Sequence, residues 1–383
     1  MFKKLVIAGA LATAVAGSAL AQQSNVEIYG LMDLGVISVD GVGANNGKAT
    51  QITSGGRDTS RIGFRGTEKI DSNLSVGFVL ESQVMPNNGG NGTASASGAT
   101  NAMFNRQAAL NMSGGFGRVT VGRSNNASYQ ALQVGDSRAA LNTGSTVNIY
   151  TDGSTFGGSS TAKTGIANLT GGTFISNQVR YDTPTWNGAS ASFSYGMGGQ
   201  PDDINAGSTQ SHALRWTGRG ATLAYGYYYT QNNAGLNTGR VDNFAGNYAV
   251  TDKARVFAAQ SNMSNPSILG QANSKFKLNS YGASYDPKSN IKLTVGYYTM
   301  QDEITSANKN NTMAAGVDYW LSKRTLIYTI YARSQNEGNM GFAAYGGGNT
   351  NLNSLGGTGN WPSIIGNAGI TQTALAVGLQ HRF

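Results

Sequence analysis

Residues 371–383 read TQTALAVGLQHRF, and their side chains alternate without a break. Phe383, His381, Leu379, Val377 and Leu375 share one parity, while Arg382, Gln380, Gly378, Ala376 and Ala374 hold the other. A period of two over this length predicts a strand with one greasy face and one wetter, smaller face. A soluble fold buries such a face in a core. A membrane-spanning barrel turns it to lipid and sets aromatics at the water interface, and Phe383 closes the strand in that manner.

The rest of the chain supplies partners of the same kind. From Asn25 onward, Val26, Ile28, Met32, Leu34 and Val36 share a face, with Glu27, Tyr29, Asp33 and Gly35 on the other. Strand patterns then follow at 60–67, 74–81, 104–112, 117–123, 178–182, 189–196, 211–217, 222–231, 240–250, 254–260, 277–285, 291–300, 312–319 and 325–333. With the terminal strand they number about sixteen, and an even count is what single-chain bacterial barrels require. Connections alternate in length. Residues 69–73, 113–116, 183–188, 218–220, 251–253, 286–290 and 320–324 are short, and 40–59, 85–101, 197–210, 262–274 and 334–369 are long and polar. Short turns on one side and long loops on the other describe a meander across a membrane. No fixed short repeat of the β-helix kind is present.

Composition agrees. Gly accounts for 54 of 383 residues, Pro for only 6, and charged residues for 12%, about half the usual share of ~25%. Eighteen Tyr suit interface belts, and the absence of Cys removes disulfides and thiolate metal sites. Mean hydropathy is −0.27, and no run approaches the ~18–20 apolar residues of a transmembrane helix. A barrel has that profile because outward and inward residues cancel. The start reads as a secretory signal peptide: Lys3 and Lys4, an apolar stretch from Leu5 to about Val15, and Ala19-Leu20-Ala21 before Gln22. The expected organisation is a signal peptide over 1–21 and one barrel over 22–383.

One connection stands apart. Residues 124–177 are too long for an ordinary loop and carry Asp136, Arg138, Asp152, Lys163 and the apolar pieces Leu132, Val134 and Ile149-Tyr150. A segment this apolar folds against something, and the barrel interior is the surface at hand.

The sequence also resembles a family. Ser60-Arg61-Ile62-Gly63-Phe64-Arg65-Gly66-Thr67-Glu68, Phe104-Asn105-Arg106-Gln107, Ser113-Gly114-Gly115-Phe116-Gly117 leading to Val121-Gly122-Arg123, Val179-Arg180-Tyr181-Asp182-Thr183-Pro184 and Leu321-Ser322-Lys323-Arg324-Thr325 occur in one order across the chain. Together with the C-terminal Phe383 they resemble the general porins of the Gram-negative outer membrane, of the betaproteobacterial kind. The terminal Phe resembles the signal by which such bacteria recognise barrels for insertion. The resemblance implies an all-β fold, a 16-stranded antiparallel transmembrane barrel whose third long loop folds inward. It also implies a homotrimer in the outer membrane, in contact with lipids, lipopolysaccharide and the barrel-assembly machinery.

A passive channel selects by width and by the field at its narrowest point. Arg61 and Arg65 alternate with Ile62 and Phe64, Arg180 with Val179 and Tyr181, and Arg215 with Leu214 and Trp216, so all four take lumen parity. The resemblance adds Arg106 and Arg123 to this basic wall. Parity sets Arg106 with Leu110 and Met112, and Arg123 with Val119 and Val121, so each needs a bulge or a place beyond the strand to point inward. Asp136 on the long loop would face the wall, and Asp33 and Glu81 also take lumen parity. With Arg in excess, a mild preference for anions is expected. Tyr227-Tyr228-Tyr229, Tyr281, Tyr285, Tyr297, Tyr319, Trp320, Tyr328 and Tyr331 read as an interface girdle.

Enzymatic signals are poor. His212 and His381 both lie in strand patterns, with no nucleophile and acid in register for a triad. Gly41-Val42-Gly43-Ala44-Asn45-Asn46-Gly47-Lys48 has Ala49 where a phosphate loop needs Ser or Thr. No basic cluster marks a nucleic-acid footprint. The sequence therefore points to a diffusion channel for ions and small hydrophilic solutes, with no cofactor and no metal. A channel specific for an organic anion or sugar, and a barrel enzyme or adhesin, are the alternatives.

Overall fold

The computed structural model describes residues 25–42, 45–91, 102–145, 172–265, 274–345 and 368–383. The signal-peptide stretch lies outside the described residues. Sixteen antiparallel barrel strands are present among those described. They are β1 (Asn25–Val42), β2 (Gly47–Ser54 resumed by Arg61–Lys69), β3 (Leu74–Met85), β4 (Gln107–Gly114), β5 (Gly117–Asn125), β6 (Phe174–Asp182), β7 (Ala189–Gly196), β8 (Thr209–Gly218) and β9 (Ala221–Gln231). The second half comprises β10 (Asn237–Ala249), β11 (Ala254–Asn265), β12 (Ser274–Lys288), β13 (Ile291–Asp302), β14 (Lys309–Trp320), β15 (Thr325–Glu337) and β16 (Gln372–Arg382). Each strand pairs with its neighbours in sequence, and β16 pairs with β1 from Leu31↔Arg382 to Asp40↔Thr373, which closes the ring. Closure leaves no strand edge to satisfy, as a hydrocarbon surround demands.

Parity decides which face looks where. On β16, Leu375, Val377 and Leu379 are 45–48% exposed while Ala374, Ala376 and Gln380 are 1% exposed. The greasy face looks out and the small face looks in. The same holds around the ring, with Val36, Leu110, Val121, Leu214, Leu223, Phe244, Val295 and Val317 exposed on the outside. Tyr281, Tyr285, Tyr297, Tyr319 and Tyr331 also stand outside. Tyr228 and Tyr328 do not belong to that girdle. Both are buried on the inner face, and the Tyr328 hydroxyl donates to Asp33 Oδ1 at 2.6 Å. At the seam Phe383 exchanges backbone hydrogen bonds with Gly30, and a Cβ on Gly30 would lie 2.3 Å from the Phe383 ring. Only a glycine lets the ring lie across that strand.

Two connections differ from expectation. The stretch 40–59 is mostly strand, because residues 47–54 fold straight back on β1 from Val42↔Gly47 to Leu34↔Ser54. Then β2 leaves the ladder. Six residues, Gly55 to Ser60, intervene before Arg61 pairs with Leu31, only three positions further along β1. Surplus chain of this kind must leave the plane of the sheet, and here it turns into the barrel. Asp33 staples it. Its carbonyl accepts from Gly55 N (2.9 Å), its N–H donates to Ser60 Oγ (2.9 Å), and its carboxylate accepts from Asp58 N (2.8 Å).

The second difference follows β15, where Met340, Phe342, Ala344 and Tyr345 are buried inside the barrel. Asn336 binds both backbone groups of Phe342 (2.9 and 3.0 Å), and the Tyr345 hydroxyl donates to the Ser54 carbonyl at 3.1 Å. The barrel core is therefore made of inner-face side chains and of segments that fold into the ring.

Candidate functional site: the pore and its inward loop

The third long connection leaves β5 and enters the barrel at once. Asn126 caps a short helix, α1 (Ala127–Gln133), by accepting from Tyr129 N through its side chain. The helix lies along β8–β10. Ser128 N donates to Ser211 Oγ (2.9 Å), Asn243 Nδ2 reaches the Ser128 carbonyl (3.0 Å), and Asn247 Nδ2 reaches that of Val134 (2.8 Å). Backbone groups that the short helix leaves over are thus met by inner-wall side chains. Close approach requires small wall residues. A Cβ on Gly226 would stand 2.7 Å from the Ser128 carbonyl, and one on Gly282 would stand 2.2 Å from Ser137 Oγ.

Beyond the helix the chain crosses to β12 and β13. Ser280 Oγ donates to the Gly135 carbonyl (3.2 Å), and Arg138 Nη1 to Thr294 Oγ1 (2.8 Å). Its tip docks on the β2 excursion: Asn142 Nδ2 to the Gly55 carbonyl (2.7 Å), Asn142 N to that of Arg57 (2.8 Å), and Thr143 Oγ1 to that of Gly56 (2.5 Å). Gly144 N meets the Ala344 carbonyl from the segment after β15 (3.2 Å). The described part of the loop, up to Ser145, therefore lies along the arc from β8 to β14, and its last described residues are held on the β2 excursion and the segment after β15. Of its sequence-marked residues, Ile149, Tyr150, Asp152 and Lys163 lie outside the described residues.

The arc that the described residues of the loop do not cover runs from β2 to β6, and it carries most of the arginines marked in the sequence. Arg61 pairs with Asp58 on the excursion. Arg106 Nε lies 2.6 Å from Glu81 Oε1, and the Tyr29 hydroxyl donates to Glu81 Oε2 at 3.0 Å. Arg123 donates to the Asn105 carbonyl (2.9 Å) and the Ser176 hydroxyl (2.8 Å). Arg106 and Arg123 both sit against the Phe174 ring, at 4.9 and 5.5 Å from its centroid. The parity conflict has a local cause in each case. Arg106 precedes the first residue of β4, so strand alternation does not govern it. Arg123 sits within a break in the β5–β6 register between Gly122 and Ser124, with Gly122 at φ +123°.

Other marked residues are placed elsewhere. Arg65 lies nearer the short turns and forms a two-pronged pair with Glu27 (2.8 and 3.0 Å). Arg180 binds both Asp182 oxygens, the Asn125 carbonyl and Gln130 of α1. Arg215 follows on β8, beside the same helix. Asp136 does not confront the basic wall. It is buried, accepting from Arg138 N (2.9 Å), Ala140 N (3.1 Å) and the Tyr298 hydroxyl (2.8 Å), and so holds the loop's own turn. Asp33 is likewise consumed by the excursion and Tyr328. Glu81 alone of the three marked acids sits among the wall arginines.

Arg57 was not marked by parity, because the excursion reads as a polar loop, GGRDTS. Its guanidinium bridges to Asp318 on β14 and Gln380 on β16. Phe174 was missed too, as the residue that seats two wall arginines. Among the described residues no group of three His, Asp or Glu is placed to hold a metal ion.

The arrangement is a water-accessible ring, narrowed by a tethered loop, with charge on the wall across from it. Comparison with known proteins agrees. The profile of the Gram-negative porin family matches residues 8–339. Outer membrane porin protein 32 of Delftia acidovorans is 28% identical over 400 aligned residues that span both chains completely. The major outer membrane protein P.IB of Neisseria gonorrhoeae is 24% identical over 82% of this chain and 90% of its own. Among solved structures, an anion-selective porin from Comamonas acidovorans superposes with a TM-score of 0.74 at 22% identity, covering 94% of this chain and 100% of that one. A closed sixteen-stranded barrel, an inward third loop and a profile match over most of its length make this chain a member of the Gram-negative porin family, a protein of the outer membrane.

Proposed function

We propose that this porin is a general diffusion channel for ions and small hydrophilic solutes, with a mild preference for anions and no covalent chemistry of its own. One observation carries the reading. Arg61, Arg106 and Arg123 share the wall across from the tethered loop, and among the described residues the acids paired with them are Asp58 and Glu81. Three cations against two anions leave the passage positive where the loop narrows it, and a low-dielectric rim strengthens that field. Guanidinium suits the role, since it stays charged at every physiological pH and sheds water readily. The solved Comamonas relative is described as anion-selective, in keeping with this sign.

In the membrane the channel works as a homotrimer whose outward apolar face meets lipid and lipopolysaccharide. It reaches that state through a cleaved signal peptide and the barrel-assembly machinery, for which Phe383 is the recognition residue. The test is a single-channel recording of refolded protein under a salt gradient. Conductance arriving in threes with an anion-selective reversal potential is expected. A cation-selective potential overturns the assignment of the wall.

A further inference from the structure

The rule of greasy outside and small inside reverses on one part of the ring. On β11 to β13, toward the long loops, Met263, Leu278 and Met300 point inward and are at most 1% exposed, while their strand neighbours Asn262, Lys277 and Gln301 look outward. The register sets such outward groups in rows. Asp242, Asn262, Lys277, Gln301, Lys309 and Glu337 oppose one another in turn across β10 to β15. Arg240 and Lys275 stand two residues nearer the loops on the same face. The row beneath is uncharged and bonds to itself: Gln260 Nε2 donates to Asn279 Oδ1 (3.0 Å), and Asn279 Nδ2 to Thr299 Oγ1 (3.1 Å). Arg240, Lys275, Lys277 and Lys309 lie eight to ten positions before Tyr248, Tyr285 and Tyr319, the outward tyrosines near the short turns of the same strands. At ~3.3 Å per residue and a tilt of about 40°, that is roughly 20–25 Å of height, the thickness of the apolar band. The four cations therefore stand at the outer-leaflet edge of the membrane. Arg333 on β15 adds a fifth outward cation. Among the described residues three acids share this face. Asp242 is held by Arg240 (3.0 Å) and by the Tyr225 hydroxyl (2.7 Å), Glu303 lies 3.6 Å from Lys275, and Glu337 opposes Lys309 without closing to an ion pair. Lys277 has no ion pair with a described residue. From β16 through β1 to β6 the outward charges toward the loops are Asp40 and Lys48, which oppose each other, with apolar Val36 and Ile52 just below them.

We propose that the outward face of β10–β14 at this edge is a docking site for the phosphorylated disaccharide of outer-leaflet lipopolysaccharide, with Lys277 and Lys309 on a phosphate and Arg240 and Lys275 flanking it. The proposal rests on the reading that the outward face meets lipopolysaccharide, and assigns that contact to one arc and to named residues. Charge complementarity carries it, since a phosphate monoester brings about −1.5 to −2 charge at neutral pH. Lys277 and Lys309 stand two strand spacings apart, about 10 Å, and their flexible four-carbon stems can converge on one phosphate. Gln301 between them does not compete, because its amide donates to the Asp302 and Ser306 carbonyls (2.9 and 3.1 Å). From Arg240 to Lys309 the cations spread over four strand spacings, about 19 Å. That spread suits a headgroup with two separated phosphates better than a phospholipid with one. Below the charges, Tyr281, Tyr297, Val295, Met313 and Val317 are exposed and offer the acyl chains an apolar bed.

The experiment measures the affinity of the refolded porin in detergent for bis-phosphoryl lipid A and for the same lipid with both phosphates removed. The phosphorylated form is expected to bind about tenfold more tightly, the scale of one charge-assisted bond. The double variant Lys277→Gln with Lys309→Gln should lose that difference, and Lys48→Gln, on the other arc, should keep it. The reversal potential of the double variant should equal that of the parent, because both lysines look away from the pore. Equal affinity for the two lipids, or an affinity unchanged in the double variant, overturns the docking site. So does a shifted reversal potential, which would set the lysines in the lumen. Loss of a co-purifying outer-membrane protein from the double variant, with lipid A retained, would give the face to a protein partner and overturn the proposal. A parent channel that binds neither lipid overturns the lipopolysaccharide reading on which it rests.

Discussion

Arg57 grips Asp318 with both prongs of its guanidinium, Nε to Oδ1 at 3.0 Å and Nη2 to Oδ2 at 2.7 Å, although 261 residues separate the two in the chain. Both side chains are about nine-tenths buried. Removing one member of such a pair strands the other charge and costs about 3–5 kcal/mol, whereas replacing both with apolar groups is far milder. Asp318→Asn is therefore expected to lower the denaturant midpoint of the folded barrel. The double variant Arg57→Met with Asp318→Leu should recover much of the loss. A double variant no more stable than the single one would show that the fork, and not the stranded charge, sets the cost.

If the wall arginines set the sign of the field, as proposed, neutral substitutions on the wall should move the reversal potential in opposite directions according to the charge removed. Arg106→Gln shifts it toward cations, and Glu81→Gln shifts it toward anions. Each change alters one unit charge in a five-charge group, so the shifts should be comparable in size. Measurement under a fixed salt gradient, with shifts of the same sign, would remove these residues from the control of selectivity.

The seat of the inward loop depends on glycines that carry no chemistry. A side chain on Gly282 would enter the space of Ser137 and of the Val295 carbonyl, which lies 2.7 Å from the Cβ position. Overpacking of this kind costs about 1–3 kcal/mol, and the loop yields before the ladder does. Gly282→Leu should leave the barrel folded, raise the open-channel noise and change the unitary current. A quiet channel of unchanged conductance would place the loop elsewhere in solution.

Phe383 packs its ring over Gly30 at the seam, and the assembly-signal role proposed for it can be tested separately. Phe383→Ala should refold in detergent with modest loss, because the backbone bonds to Gly30 remain. Its yield in the outer membrane should fall several-fold. Equal losses in both settings would leave the residue a packing role alone.

The strands were legible because period-two alternation is local and repeats in every segment. All sixteen were visible, and the inward faces of Arg61, Arg180 and Arg215 followed from their apolar neighbours. What could not be read was whatever leaves the period. The excursion at 55–60 has the composition of an ordinary loop, and its partners, Asp318, Gln380 and Asn142, are set by ring closure and by the docking of another loop. Asp136 has the right type and place for a field-setting acid, yet the turn it sits in claims its oxygens first. The segment after β15 reads as polar chain, and only the ring around it makes Phe342 and Tyr345 interior residues.

The docking of the inward loop has a consequence for timing. Its tip rests on Gly55–Arg57, on β14 through Arg57, and on Ala344 beyond β15. Those supports come from both ends of the chain, and they converge only when β16 has zipped against β1. A nascent, unsealed sheet would thus have wall and charges but no defined aperture. The calibre of the passage depends on the same closure that seals the ring.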